Sequence, residues 1–181
     1  MSSLTVLSVD PGLKHTCFVL MKITKNEEGY TSVNVLWKKV YDLSGKVNPC
    51  PDKAHSMMIN VYCETEHLWA ESDAEGHKRL VLVEFQPPLN TRTNPALVRW
   101  NSWVEAFVVS YFRTEPEFLV DYAHPNGVKR HFDIRSGDYH TNKSLALIRA
   151  RTLVKDAHSV KSDHEADCVL IGAWYFNVKH E

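Results

Sequence analysis

The spacing of apolar and polar residues divides this chain into strand-like and helix-like segments. Leu4 to Val9 is an apolar-rich run ended by Asp10-Pro11-Gly12, the pattern of a short buried strand closed by a turn. Thr16 to Ile23 and Val33 to Val40 are further β-rich runs, joined by the polar Lys25-Asn26-Glu27-Glu28-Gly29 turn, so an antiparallel meander is expected. Asp42 to Asp52, with Gly45, Pro49 and Pro51, reads as a loop, and Asp52 as the N-cap of a helix that carries Met58, Val61, Leu68 and Trp69 to Ala70. Glu71 to Lys78 is polar and turn-like. Leu80-Val81-Leu82-Val83 is fully apolar, as in a central parallel strand.

Asn94-Pro95 places a capping residue before proline at the first helical position. Trp100, Trp103, Val104, Phe107, Val108 and Tyr111 then recur at helical spacing. Phe118 to Tyr122 is another strand, His124 to Tyr139 an irregular basic loop, and Thr141 to His158 and Asp163 to Val178 are helices. The order β-β-β-α-β-α-β-α-α begins as a meander and then alternates. That order predicts an α/β fold, a mixed sheet with helices on both faces, in one domain over 1–181.

Composition narrows the class. The chain has 181 residues, 44% of them hydrophobic, which suits one core and excludes disorder and fibrous repeats. No apolar run is long enough to span a bilayer, and Met1-Ser2-Ser3-Leu4 has no basic leader, so neither a membrane span nor a targeting peptide is expected. Cys17, Cys50, Cys63 and Cys168 show no CxxC pairing; free, mostly buried thiols in an intracellular reducing compartment are expected. Net charge is −1, but residues 85–161 carry 11 basic and 7 acidic groups, whereas residues 162–181 carry 1 and 4. A basic middle beside an acidic tail is compatible with a polyanion held next to carboxylates.

Candidate chemistry lies in three acidic places. Asp10 ends an apolar strand and precedes Pro11-Gly12, which is also a common turn. Glu84 closes the Leu80–Val83 run, where a carboxylate is costly unless solvated, paired or bound to metal. In Lys161-Ser162-Asp163-His164-Glu165-Ala166-Asp167, the spacings His164/Asp167 and Asp163/Asp167 make helical neighbours. Acids opening a helix also answer its dipole, which explains one or two of them but does not require Asp167. Hard oxygen ligands with one imidazole suit Mg²⁺ or Mn²⁺. Two such ions about 4 Å apart can activate water and stabilise the leaving oxygen at a phosphodiester. Nuclease chemistry follows.

Val9-Asp10-Pro11-Gly12, Val83-Glu84-Phe85-Gln86-Pro87 and Lys161-x-Asp163-His164-x-Ala166-Asp167 together resemble the Holliday-junction resolvases of the RuvC type. The Glu-x-Gln-Pro and K-x-D-x-x-A-D segments most resemble the poxvirus and iridovirus branch. For a viral member, this implies action at the host-cell site of viral DNA replication. The resemblance implies an RNase H-like fold with sheet order 3-2-1-4-5. It also implies a homodimer that cuts four-way DNA junctions by paired symmetric nicks, with two Mg²⁺ (or Mn²⁺) ions per site. Asp10, Glu84 and Asp167 match the family's acidic metal ligands, and His164 falls on its fourth ligand position, where Asp163 is a possible substitute.

Lys143, Arg151 and Lys155 are read as one basic helical stripe for DNA phosphates, with Lys129, Arg130, Arg149 and Lys161 near them in sequence. The Trp100/Trp103/Phe107/Tyr111 row is read as core or dimer seam. Two alternatives stand: another RNase H-like nuclease, acting on RNA–DNA hybrid or branched DNA, and a catalytically inactive junction-binding scaffold.

Overall fold

The structure is a computed structural model that describes residues 3–44, 50–72, 79–85, 94–115, 117–135 and 137–179, with the backbone only at 70–72. Its sheet has five strands: β1 (Ser3–Pro11), β2 (His15–Lys25), β3 (Thr31–Asp42), β4 (Arg79–Glu84) and β5 (Phe118–Ala123), in the order β3-β2-β1-β4-β5. The first three form the antiparallel meander, and β4 and β5 add in parallel beyond β1. Helices α1 (Pro51–Ser72) and α2 (Pro95–Phe112) cover one face. Helices α3 (Pro125–His131), α4 (Tyr139–Leu153) and α5 (Asp163–Lys179) cover the other. This is the mixed α/β sheet expected, in the expected order. Among the described residues, no helix is long and apolar enough to cross a membrane.

Side-chain alternation in the central strands decides where the chemistry lies. Leu7 and Val9 of β1 and Val81 and Val83 of β4 pack under α1 and α2. Leu4 and Val6 of β1 and Leu80 and Leu82 of β4 point the other way, into the core beneath α5. With a period of two, Asp10 and Glu84 both project on the α5 side, at the carboxyl ends of two neighbouring parallel strands.

The α5 helix is seated deeply. Ten of its residues are buried, and Gly172 lets it approach β1 and β2: a Cβ there would lie 3.0 Å from Met21 Sδ and 3.2 Å from Ser8 Oγ. Its start is a capping box. The Ser162 hydroxyl accepts from the Glu165 N–H at 3.2 Å, and Glu165 accepts in return from the N–H groups of Ser162 and Lys161. Glu165 also pairs with Lys38 of β3 at 2.8 Å, which fastens the helix start to the sheet.

Three expectations are corrected. First, α1 starts at Pro51, so Asp52 lies in its first turn and is not the cap. Second, α4 ends at Leu153, not His158, because the chain then joins the sheet edge: Val154 bridges Val33, and the Lys155 N–H donates to the Val33 carbonyl. A single 3₁₀ turn, Ala157–Ser159, follows. Third, the supposed loop from His124 contains α3, opened by Pro125 at its first turn. Gly127 lets this helix lie against Trp174, since a Cβ would come within 3.3 Å of the indole. Cys17 and Cys168 are buried free thiols, but Cys63 is exposed and Cys50 half-buried. The polar turn expected at 71–78 lies largely outside the described residues.

Burial alone would raise the Glu165 carboxyl, but the Lys38 hydrogen bond and two backbone N–H groups hold it below the ordinary range. A depressed carboxyl contributes stability above its unfolded pKa, and that contribution disappears as pH falls through the folded value. Glu165→Ala is therefore expected to cost about 2–3 kcal/mol at pH 7, and Glu165→Gln, which can still cap, about half of that. Chemical unfolding at pH 7 and pH 3 checks this. Both penalties should shrink at pH 3, and equal penalties at the two pH values would contradict the capping role.

Candidate functional site

Asp10 is placed by a turn that admits little variation. A Cβ on Gly12 would sit 2.5 Å from the His15 carbonyl oxygen, so only glycine fits. The Thr16 hydroxyl donates to the Gly12 carbonyl at 3.0 Å and accepts from the Trp100 indole at 2.9 Å. Trp100, read from sequence as core or seam, is fully buried and holds this turn from beneath.

Six of the sequence-derived residues line one cavity of about 320 Å³: Asp10, Glu84, His164 and Asp167, with Lys129 and Lys143. His164 Nδ1 lies 3.1 Å from Asp10 Oδ2. That hydrogen bond, opposed by burial, raises the imidazole above its usual pKa. Burial, then the charges of Asp10 and Asp167, pushes Glu84 up to about 8. Burial likewise pushes Asp167 up to about 6, against the pull of Lys143. Carboxyl groups that compete for protons in this way fit a site built for a cation.

Asp163 is placed differently. It pairs with Lys143 of α4 at 2.6 Å, and its other oxygen is 4.0 Å from His164 Nε2. His164, and not Asp163, reaches Asp10. Lys143 also lies 3.5 Å from Asp167. Burial would lower this ammonium, but the Asp163 hydrogen bond and the two carboxylate charges raise its pKa. Lys143 is thus the cation of the acidic cluster and no part of a surface stripe.

The stripe itself is absent. Offsets of 8 and 12 residues would spread the three over about 120° of one continuous helix, but the helix ends before the third. Arg151 donates to the Val160 carbonyl at 3.0 Å, and Lys155 lies past the end of α4. Of the basic residues read from the sequence, Lys129 and Arg130 on α3, Arg149 and Arg151 on α4, Lys155 beyond it and Lys161 before α5 are exposed; Lys129 lines the cavity.

Two residues of the site were missed in the sequence. His15, the first residue of β2, tilts against His164 with ring centroids 5.0 Å apart and faces Asp42 at 3.8 Å. The only sequence signal was its position at the far end of the turn after Asp10. Tyr139, at the start of α4, lines the cavity mouth within the stretch read as a loop.

Among the described residues, no three His, Cys, Asp or Glu side chains are closed into a ready-made metal cage. The donor set nonetheless suits a hard divalent cation: three carboxylates and one imidazole, with two of the carboxyls raised by burial first and by their acidic neighbours second. One oxygen of Asp10 is engaged by His164 and one oxygen of Asp167 by Lys143. The Gln86-Pro87 part of the sequence motif lies outside the described residues.

No protein-family model and no curated protein matches this sequence. Solved structures do resemble it. Thermus thermophilus RuvC in complex with Holliday junction substrate matches with a TM-score of 0.63 and 18% identity over 97% of both chains. Thermus thermophilus RuvC solved separately matches with 0.63 and 19% over 96% of both. The yeast mitochondrial Holliday junction resolvase Ydc2 matches with 0.61 and 16%, over 97% of this chain and 80% of the other. These likenesses establish a RuvC-like, RNase H-like fold.

A carboxyl raised in the folded state makes the cation-free protein lose stability as pH climbs from its unfolded pKa towards its folded one. For Glu84 that window runs from about 4.5 to about 8. Glu84→Gln is expected to stabilise the cation-free protein by about 1–3 kcal/mol at pH 8 and by almost nothing at pH 4.5. Thermal unfolding in chelator measures this. Added Mg²⁺ should stabilise the wild type and not the variant; equal Mg²⁺ stabilisation of both would remove Glu84 from the cation site.

Proposed function

We propose that this chain is a structure-selective endodeoxyribonuclease that resolves four-way DNA junctions by paired, symmetric nicks. The observation that carries this reading is the convergence of Asp10, Glu84, His164 and Asp167 at the strand ends of a RuvC-like sheet, beside the exposed basic residues of α3. The neighbours Thermus thermophilus RuvC and yeast Ydc2 support it, the first having been solved with a Holliday junction and the second being a Holliday junction resolvase. Kinship with the poxvirus and iridovirus branch rests on the sequence segments around Glu84 and Lys161–Asp167. The buried thiols of Cys17 and Cys168 suit a reducing, intracellular setting, and the nuclease unit is taken as the single domain 1–181.

In this reading Asp10, Glu84, His164 and Asp167 hold two Mg²⁺ (or Mn²⁺) ions, which supply water activation and stabilisation of the leaving oxygen. Asp10 and Glu84 are presented by strands that cannot shift without disturbing the core. His164 keeps Asp10 oriented through Nδ1. Lys143 holds Asp167 and Asp163 and offsets their repulsion of an approaching phosphate. Lys129, Arg130, Arg149 and Lys161 meet the phosphates of the flanking arms.

The working unit is a homodimer, because two symmetric nicks require two sites at a fixed separation. Trp103, Phe107 and Tyr111 of α2 are only partly covered, and supply an apolar surface for that contact. His55 of α1 stacks on Phe107 at 5.0 Å and reaches the Tyr111 hydroxyl at 2.8 Å, so part of the row already packs within the chain.

Asp10→Asn is expected to abolish cleavage of a cruciform plasmid while keeping junction affinity within about threefold, and His164→Asp to retain cutting that His164→Ala loses. Wild-type protein should convert the cruciform to linear product without accumulating nicked circles. A monomer that releases nicked circles, or an Asp10→Asn variant that still cuts, would overturn the paired two-metal reading.

Ala substitutions at Lys129 and Arg149 are expected to lower the slope of log affinity against log salt by about 0.9 for each lost phosphate contact. The loss should be alike for different junction sequences. A sequence-selective loss, measured by titration at several salt concentrations, would assign these residues to bases instead.

A further inference from the structure

His164 has little of its own helix to rest on. A side chain in an α-helix leans towards the helix N-terminus and lies over the preceding turn. His164 is the second residue of α5, so no turn of that helix precedes it. The torsion that turns its ring is of the sp³–sp² kind, broad and roughly twofold, so an unsupported imidazole swings. Asp10 and Asp163 approach its nitrogens unequally. Asp10 Oδ2 is 3.1 Å from Nδ1, a hydrogen bond, whereas Asp163 Oδ1 at 4.0 Å from Nε2 is too distant for one. Asp10 alone therefore leaves the ring free to pivot.

What meets the ring from another element is His15. The two ring centroids are 5.0 Å apart and the planes are inclined by 47°, within the range of paired aromatic rings. His164 lines the cavity and His15 does not. An effect of His15 on the site thus passes through His164.

The backbone that carries His15 is held from several sides. Gly12 packs so closely that a Cβ there would lie 2.5 Å from the His15 carbonyl oxygen. The Leu43 N–H donates to the Lys14 carbonyl at 2.6 Å. Thr16, next in the chain, is fully buried and bonded to the Gly12 carbonyl and the Trp100 indole. Cys17 packs in the core beneath α5, so the strand period of two turns His15 to that same side. Across the sheet rim His15 is the register partner of Asp42. The Asp42 carboxylate lies 3.8 Å from His15 Nδ1 and accepts from the Ser44 N–H at 2.8 Å. A rigid strand start therefore presents one ring to another that its own helix leaves unsupported.

We propose that His15 is a positioning residue, whose ring backs His164 and holds that imidazole turned towards Asp10 and the cation site. The role rests on the nuclease reading above and names a residue on which its cation site depends. It requires the bulk of a ring and not its nitrogens, because the contact with His164 is made ring to ring.

The test titrates Mn²⁺ into the full chain by calorimetry. It also follows the ring signals of His164 by NMR, identified by their loss in His164→Ala. The His15 side chain is 35% exposed, so shortening it leaves the core intact. His15→Ala is expected to weaken Mn²⁺ affinity about 10-fold or more, the usual cost of losing a support behind a metal-binding imidazole. The His164 signals should broaden or split, while the melting temperature in chelator stays unchanged. His15→Phe, which keeps a ring, should bind Mn²⁺ within about threefold of the wild type and keep single sharp signals. An Ala variant that binds Mn²⁺ like the wild type would remove the role and leave the nuclease reading intact; so would a Phe variant as weak as the Ala one. An Ala variant that melts lower in chelator with unchanged His164 signals would make His15 purely structural. A wild type that takes up no Mn²⁺, alone or with junction bound, would end the nuclease reading and the role of His15 with it.

Discussion

Burial of carboxylates that the fold forces together, with the repulsion between them, is the constraint on which this site depends. Asp10 and Glu84 end adjacent parallel strands on the same face, and Asp167 is brought over them by a helix that is buried along most of its length. Moving any one away would mean breaking the sheet or lifting α5. Their conflict is relieved instead by protons, by His164 on Asp10 and by Lys143 on Asp167. A divalent cation relieves it more completely, which gives the site its chemical direction.

The acids of the α5 start divide by the job each can do. Glu165 turns back to the helix's own N–H groups and to Lys38, so it is structural. Asp167, two residues and about half a turn further on, faces the cavity instead. Asp163, the first residue of the helix, is held by Lys143. Four acidic or imidazole groups over five positions thus serve anchoring, cation holding and charge balance, and helical spacing alone separates the roles.

Much of this was legible because it follows from short-period patterns. The short apolar runs Leu4–Val9 and Leu80–Val83, each closed by an acid, are enough to place Asp10 and Glu84 at strand ends, and both stand there. Long-range packing was not legible. The α3 helix packs Gly127 closely against Trp174, 47 positions away, while locally it reads as a proline- and glycine-broken loop. The α4 helix stops at Leu153 because the edge of β3 captures Val154 and Lys155, which no local propensity announces. Lys143 was read as a surface cation because its pairing partners lie two elements away along the chain. His15 reaches His164 only through the hairpin that folds it back.

Substrate choice tests the central claim most directly. The purified protein is incubated with end-labelled four-way junction, linear duplex and RNA–DNA hybrid of the same sequence, each in Mg²⁺ and in chelator. The expected result is symmetric cutting of the junction alone, in Mg²⁺ alone. Cutting of the hybrid in preference to the junction would make this a hybrid-specific ribonuclease on the same fold. Tight junction binding with no cutting in either Mg²⁺ or Mn²⁺ would make it a binding scaffold, and either result would contradict the function proposed.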